Sequence, residues 1–555
     1  MGIDKTRWLP NSRTRRWAVL ALATTSVAGV GAAALEIALS GTDEDQPLFY
    51  KAPVDRGQPV GKQAARRSLA APQGNSDAHI KGTFGTAFEW PIIPIHTVLL
   101  PDGRVLSYGT DTTGTQSGLL YYALWDPSRG VGADAMQVLD NVSGTDTFCV
   151  GQALLPNGNV LLVGGDRTVN DQRNFGLNDV NIFTPADNVL NRQPQSMVYQ
   201  RWYPTVITTG DGEEVVLGGR IDKSMPKWVP PVPATFASTP EVYNPATGWR
   251  TLTNATSEPA YGKSSTDNWS YPHAWLAPSG KITVLTNSGD IYELDKKGTG
   301  KVRKVVAGAL SISKQFNSAV MYAPGKVLSI RTGGLVSLVD LNNSPPTITQ
   351  TAAMSQGRFY GNATVLPNGL VWANGGSSKG NKLAGAAYHS EMWDPATGNW
   401  TITATAAKPR LYHSISMLMP DATVLTAGGG APGPVLNLNA EVYYPPYLYK
   451  TDGSGQLADR LTIAAAPSAA TWGQNIGVSM ATAEAVSRVT VVRFGGVTHA
   501  FSTEQRFQEL SFSQAGTDLN VSLPASPNIA PPGFYMLFAF NAAGVPSVAK
   551  VIRVG

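Results

Sequence analysis

A strand–turn–strand unit recurs along this chain, and that recurrence restricts the fold more than any single motif does. It is written at 93–111 (IPIHTVLLPDGRVLSYGTD), 148–166 (FCVGQALLPNGNVLLVGGD), 202–220 (WYPTVITTGDGEEVVLGGR), 271–289, 316–334, 360–376 and 410–430 (RLYHSISMLMPDATVLTAGGG). Each unit is an apolar run, a tight turn rich in Pro, Asp, Asn and Gly, and a second apolar run that usually ends in glycines. A third strand follows, often closing on an aromatic–Asp/Asn–Pro turn as in ALWDPS (123–128), EVYNPATGW (241–249) and EMWDPATGNW (391–400). Units of about four strands, spaced by roughly 40 to 70 residues, are the mark of propeller blades. One four-stranded sheet cannot bury both faces alone, and packing seven around an axis covers them. The spacing therefore predicts an all-β protein: a seven-bladed kelch-type β-propeller over residues 86–446. The tail, 447–555, drops the unit and alternates apolar with polar residues, as in VTVVRFGG (489–496) and FYMLFAFN (534–541). It reads as a C-terminal immunoglobulin-like β-sandwich.

Composition agrees with short strands and many turns: of 555 residues 57 are Gly and 39 Pro, while only 15% are charged. The formal charge of +4 resides in the first sixteen residues, where Lys5, Arg7, Arg13, Arg15 and Arg16 face Asp4 alone. The remainder is balanced, which argues against nucleic acid as a partner. Residues 17–35 carry no charge, so residues 1–40 read as a secretory signal peptide or an uncleaved membrane anchor, followed by a Pro/Gly/Gln-rich linker at 41–85. Either reading puts the bulk of the protein outside the cytoplasm, secreted or tethered through 17–35, and a monomer is expected. The single cysteine, Cys149, rules out an intramolecular disulfide.

Aligning the units on their turn glycine and counting back nine residues gives Pro94, Cys149, Tyr203, Tyr271, Phe316, Tyr360 and, with Ala422 in place of the glycine, His413. Equivalent positions on innermost strands lie at one height around one axis. Periodicity thus predicts that Cys149, Tyr203 and His413 are neighbours at one end of a central channel, and leaves open which tyrosine matters. Of the six histidines, His79, His96, His273 and His389 read as structural, although His96 and His273 fall close enough to the ring to line the channel.

Four motifs then carry a resemblance. Cys149 in DTFCVGQALLPNG, Tyr203 in RWYP, Tyr412-His413 in RLYHSISMLMPD and His499 in VTHAFSTEQR stand in one order across two predicted domains, and the ending PPGFYMLFAFNAAGVPSVAKVIRV (531–554) follows them. In these the chain resembles the galactose oxidase/glyoxal oxidase family of copper-radical oxidases over about 86–555, with RWY pointing to the glyoxal oxidase branch. The resemblance implies one copper ion held by Tyr203, Tyr412, His413 and His499, and a thioether bond joining Tyr203 to Cys149 as a radical cofactor. It implies Tyr412 as axial ligand and general base, and His499 on a loop that the C-terminal domain sends up the channel. Two imidazoles with two phenol oxygens suit tetragonal Cu(II). A sulfur on the Tyr203 ring would let it store the second oxidising equivalent of a two-electron reaction.

The expected reaction is oxidation of small aldehydes or primary alcohols, glycan ends included, with O2 giving hydrogen peroxide. Two departures qualify it. Galactose oxidase has a tryptophan stacked on its modified tyrosine shortly after the GG strand end, where this chain has Ile221, so Trp202 is the expected substitute. Residues 41–85 are too short and polar for that enzyme's carbohydrate-binding domain, so galactose specificity is not expected to carry over. Two alternatives from other classes are a non-catalytic kelch propeller that binds glycans or proteins at the cell surface, and a blue-copper electron carrier using Cys149 with His413 and His499.

Overall fold

The computed structural model describes residues 71–118, 121–225, 230–313 and 316–555. The signal or anchor reading at 1–40 and most of the linker at 41–85 lie outside them. No helix among the described residues is long and apolar enough to cross a membrane.

The recurring units fold as antiparallel sheets of consecutive strands. The first runs His96–Leu99, Val105–Tyr108, Tyr121–Trp125 and Met136–Asp140, each strand paired with the next. Six more sheets begin at Gly151–Leu154, Thr205–Thr208, His273–Leu276, Ala319–Ala323, Asn362–Val365 and Ser414–Leu418. Second strands such as Val160–Val163 and Val371–Asn374 are buried on both faces, as their unbroken apolar runs require. Outer strands such as Lys301–Val306 have no fully buried residue and face solvent. Ser414–Leu418 lies against Asn362–Val365 on one side and His96–Leu99 on the other, so the last sheet touches the first.

The seventh sheet is finished by the N-terminal side of the chain. Thr83–Phe84 pairs with Tyr444 and Tyr443, and Phe88–Glu89 with Ala440 and Asn439. The boundary drawn at residue 85 therefore cuts through this edge, and 83–84 belong to the sheet rather than to a linker. Two-residue strands have no periodicity to read; what recruits them is the row of backbone donors and acceptors along Asn439–Tyr444 that would otherwise lack partners.

The C-terminal segment forms two sheets of its own, Ile463–Ala465 with Asn475–Met480, Asp518–Ser522 and Phe512–Ala515, against a second built on Gly533–Phe540. Ile476, Val478, Val491, Val521, Leu537 and Ile552 fill the space between them. From this sandwich Gly496–Thr498 reaches back and pairs with Val98, Thr97 and His96, adding a fifth strand to the inner edge of the first sheet. Glu504 pins the excursion: its carboxylate accepts from the backbone N–H of Leu154 and Gly496 and from Arg493. His499 is the next residue after that strand.

Candidate metal centre

The residues nine before each turn share a conformation that their sequence does not advertise. Cys149, Tyr203, Tyr271, Phe316, Tyr360 and His413 all have positive φ, from 42° to 72°. For side chains with a Cβ the left-handed region costs about 1–2 kcal/mol per residue, so the surrounding structure must impose it. Backbone hydrogen bonds between neighbouring sheets do so in part. Tyr203 N–H donates to the Cys149 carbonyl (3.0 Å), Tyr271 to Tyr203 (2.9 Å) and Tyr360 to Phe316 (3.1 Å). Pro94, the seventh of the set, has no N–H to give and a φ locked negative.

Three arginines brace the approach to these positions. Arg201, Arg358 and Arg410 are buried and reach Glu241, Glu391 and Glu441 on the third strand of their own sheets at 2.8, 2.7 and 3.0 Å. Each also donates to the carbonyl of a strand-end glycine, Gly218, Gly375 or Gly428. The backbone carbonyls of Arg201 and Arg410 accept from Gly165 and Gly376 of the preceding sheets. Side chains lock the sheet, and main chain locks the junction.

The positive-φ turn at each position aims its side chain inward, where Cys149, Tyr203, Tyr271 and Phe316 pack with Trp202, Trp269 and Phe148 in one buried cluster, with Tyr412 against its edge. The Tyr203 hydroxyl contacts that of Tyr412. The ligating atoms of Cys149, His413 and His499 lie within 4.8 Å of one another, with Cys149 Sγ 3.9 Å from His499 Nε2. The His413 and His499 rings are 4.6 Å apart and nearly perpendicular. His413 Nδ1 lies 2.8 Å from the Gly430 carbonyl. A carbonyl only accepts, so Nδ1 carries the proton and Nε2 is left with a lone pair. That Nε2 is buried without a hydrogen-bond partner among the described residues. His499 Nδ1 is engaged by the Thr498 hydroxyl at 2.6 Å, which turns its Nε2 toward the sulfur.

Burial governs the protonation states here. Desolvation pushes the phenols of Tyr203 and Tyr412 and the Cys149 thiol well above their ordinary values. It brings His413 down to about 3 and His499 well below the usual imidazole range. The cluster without a cation is thus neutral: two phenols, a thiol and two unprotonated imidazoles. An orphaned, buried imidazole nitrogen beside two touching phenol oxygens fits a cation that supplies the missing partner and lowers the phenol pKa.

Trp202 lies flat on Tyr203, ring centroids 3.8 Å apart and 12° from parallel. The indole therefore comes from the residue beside the tyrosine, while Ile221 sits in the short strand Arg220–Asp222. Sequence reasoning missed Trp269, whose ring lies 6.1 Å from Tyr203 at 15°. Its one signal was its place two residues before the ring position Tyr271. The Tyr271 hydroxyl donates to the Val150 carbonyl and the Tyr360 ring packs at a tilt of 58° against Tyr412 at 5.0 Å, so of the three tyrosines Tyr203 is the one that meets Tyr412 through its oxygen. His96 is fully buried, stacked on Tyr108 and 5.8 Å from the His499 ring. His273 stacks on Phe501, and His389 begins the third strand of its sheet, 3.1 Å from the Ser355 hydroxyl. His79 lies in the short helix Ala78–Lys81, outside the buried cluster.

Comparison with known proteins now bears on this geometry. Residues 460–554 match the family described as "Galactose oxidase-like, Early set domain". Galactose oxidase of Gibberella zeae is 28% identical over 514 residues, 85% of this chain and 70% of the relative. The chain is a homologue of galactose oxidase. This galactose oxidase homologue is also 26% identical over 470 residues to "Aldehyde oxidase GLOX1" of Arabidopsis thaliana, covering 74% of the chain and 72% of that protein. A solved structure titled "Novel fungal alcohol oxidase with catalytic diversity among the AA5 family, in complex with copper" aligns with a TM-score of 0.75 at 25% identity, over 85% of this homologue and 99% of that chain.

Proposed function

We propose that this protein is a mononuclear copper-radical oxidase that oxidises small aldehydes or primary alcohols, glycan ends included, with O2 as acceptor and hydrogen peroxide as product. We place it outside the cytoplasm, with the seven sheets as blades of a kelch-type propeller. The observation that carries the reading is the meeting of Cys149, Tyr203, Tyr412, His413 and His499 in one buried cluster. The named activities of the relatives, galactose oxidase, aldehyde oxidase and a copper-bound alcohol oxidase, support it. Relatives of the two kinds are matched at similar identity, 28% and 26%, so assignment to the glyoxal oxidase branch rests on the RWY motif.

His413 and His499 through Nε2, and Tyr203 and Tyr412 through their oxygens, would hold the copper. When bound, the metal supplies a one-electron couple and a positive charge that favours the phenolates. Tyr412, at the edge of the buried cluster, takes the substrate's hydroxyl proton as general base. Tyr203, joined to the sulfur of Cys149 at the cost of one hydrogen from each, accepts the hydrogen atom from the substrate carbon. Trp202 covers the face of that ring and keeps water from it. The Gly430 carbonyl fixes the His413 tautomer that leaves its Nε2 open, and Thr498 holds His499 through Nδ1 so that its Nε2 faces the cluster.

Intact mass before and after copper loading in air tests this. The oxidase loses two hydrogens and then releases peroxide against a panel of aldehydes, alcohols and sugars. Unchanged mass with no peroxide would favour a propeller that only binds glycans or proteins.

A further inference from the structure

Among the residues near the cluster, Arg220 has no place in the chemistry above. It follows the strand Glu214–Leu217 and is joined to Trp202 by a reciprocal pair of backbone hydrogen bonds, 2.9 and 2.8 Å. Opposed residues of such a pair carry their side chains on one face. The guanidinium carbon accordingly lies 4.2 Å from the Trp202 ring centroid and 5.2 Å from that of Trp269. Tyr203 is stacked on that same indole.

Arg220 is not paired directly with a carboxylate among the described residues, and Asp166 and Asp267 act on it only from beyond ion-pair distance. Arg201, Arg358 and Arg410 each grip a glutamate, but Arg220 has no carboxylate within ion-pair distance among the described residues. Its one hydrogen bond goes to the Asn174 carbonyl at 2.8 Å, and its Nε is buried without a partner. The nearby Asp166 is occupied by Arg173 at 2.9 Å, Gln116 and the Asn174 N–H. Arg220 is half-buried, and a cation held partly out of water without a paired carboxylate carries a desolvation cost.

We propose that Arg220 is a positioning residue that raises the one-electron potential of Tyr203 through Trp202. Removing an electron from the cross-linked phenolate leaves a radical with one negative charge fewer, and a fixed cation at short range in a dry site opposes that loss. The guanidinium also draws on the π-cloud of Trp202, so the indole is a weaker donor to the hole. The radical becomes a stronger oxidant and forms less readily in air. This inference rests on the copper-radical reading.

The test is a redox titration of copper-loaded wild type, Arg220→Met and Arg220→Lys with a one-electron oxidant such as ferricyanide, following the radical's absorption. Arg220→Met should hold about tenfold or more radical at a fixed mediator potential. Arg220→Lys, which keeps the charge but not the plane, should stay near wild type. Equal potentials in Arg220→Met and wild type, with the thioether formed in both, overturn the inference. So does an equal drop in both variants, which would mark a packing role for the side chain. Absence of the thioether in wild type defeats the oxidase reading itself, a separate outcome seen by mass before any titration.

Discussion

The hydroxyl of Tyr203 touches the hydroxyl of Tyr412 across 209 residues of chain. Two neutral phenols can share one hydrogen bond, but only one of them can donate it, and neither ionises readily in so dry a place. The contact makes chemical sense as half of a metal site, with the two imidazole nitrogens as the other half.

Replacing Cys149 with Ser should leave the fold intact, since the thiol is a small buried group with no disulfide partner. Peroxide release should fall at least about a hundredfold, on the scale set by loss of an essential catalytic group. Intact mass should show no loss of hydrogens. Peroxide assay together with mass measurement checks both outcomes.

His413→Ala and His499→Ala should each weaken copper binding by more than about tenfold, read from metal content after dialysis. Each metal-free variant should also lose some stability, since it removes a buried ring and the hydrogen bond made by its Nδ1.

Arg410→Met should be severe, although Arg410 touches no metal ligand atom. It strands Glu441, fully buried, with its partner gone, and breaking a buried pair this way costs about 3–5 kcal/mol. Urea denaturation should show the loss, and Arg410→Met with Glu441→Gln should recover part of it.

Glu214 is fully buried, and burial, with Glu504 adding to it, raises its pKa well above the ordinary carboxylate value. An acid whose folded pKa is raised keeps a proton that the unfolded chain releases. Stability is therefore greatest below the unfolded pKa and declines as pH rises toward the folded one. Glu214→Gln should match wild type near pH ~5 and exceed it near pH ~8, as judged by denaturant midpoints at the two values.

Ala422 occupies a turn at φ 68°, where the six matching turns have glycine. Ala422→Gly should raise stability by about 0.5–1 kcal/mol, the strain relieved less the entropy that glycine adds to the unfolded chain. Thermal unfolding of the metal-free protein measures it.

The repeated strand–turn–strand unit was sufficient to predict the all-β chain, because alternating burial and turn chemistry are local and survive in one dimension. Counting back from the turns also brought Cys149, Tyr203 and His413 to one level, since equal spacing from equal turns means equal height on neighbouring strands. Tertiary packing alone decided the rest. The strand Thr83–Phe84 gains its identity only from the open edge it meets, and the left-handed φ of Tyr203 and Tyr271 is held in part by hydrogen bonds to neighbouring sheets. Arg220 and Trp269 reach Trp202 and Tyr203 from separate segments, a short strand and a loop. Such encounters depend on where segments distant in sequence come to rest, and no local pattern of residues records that.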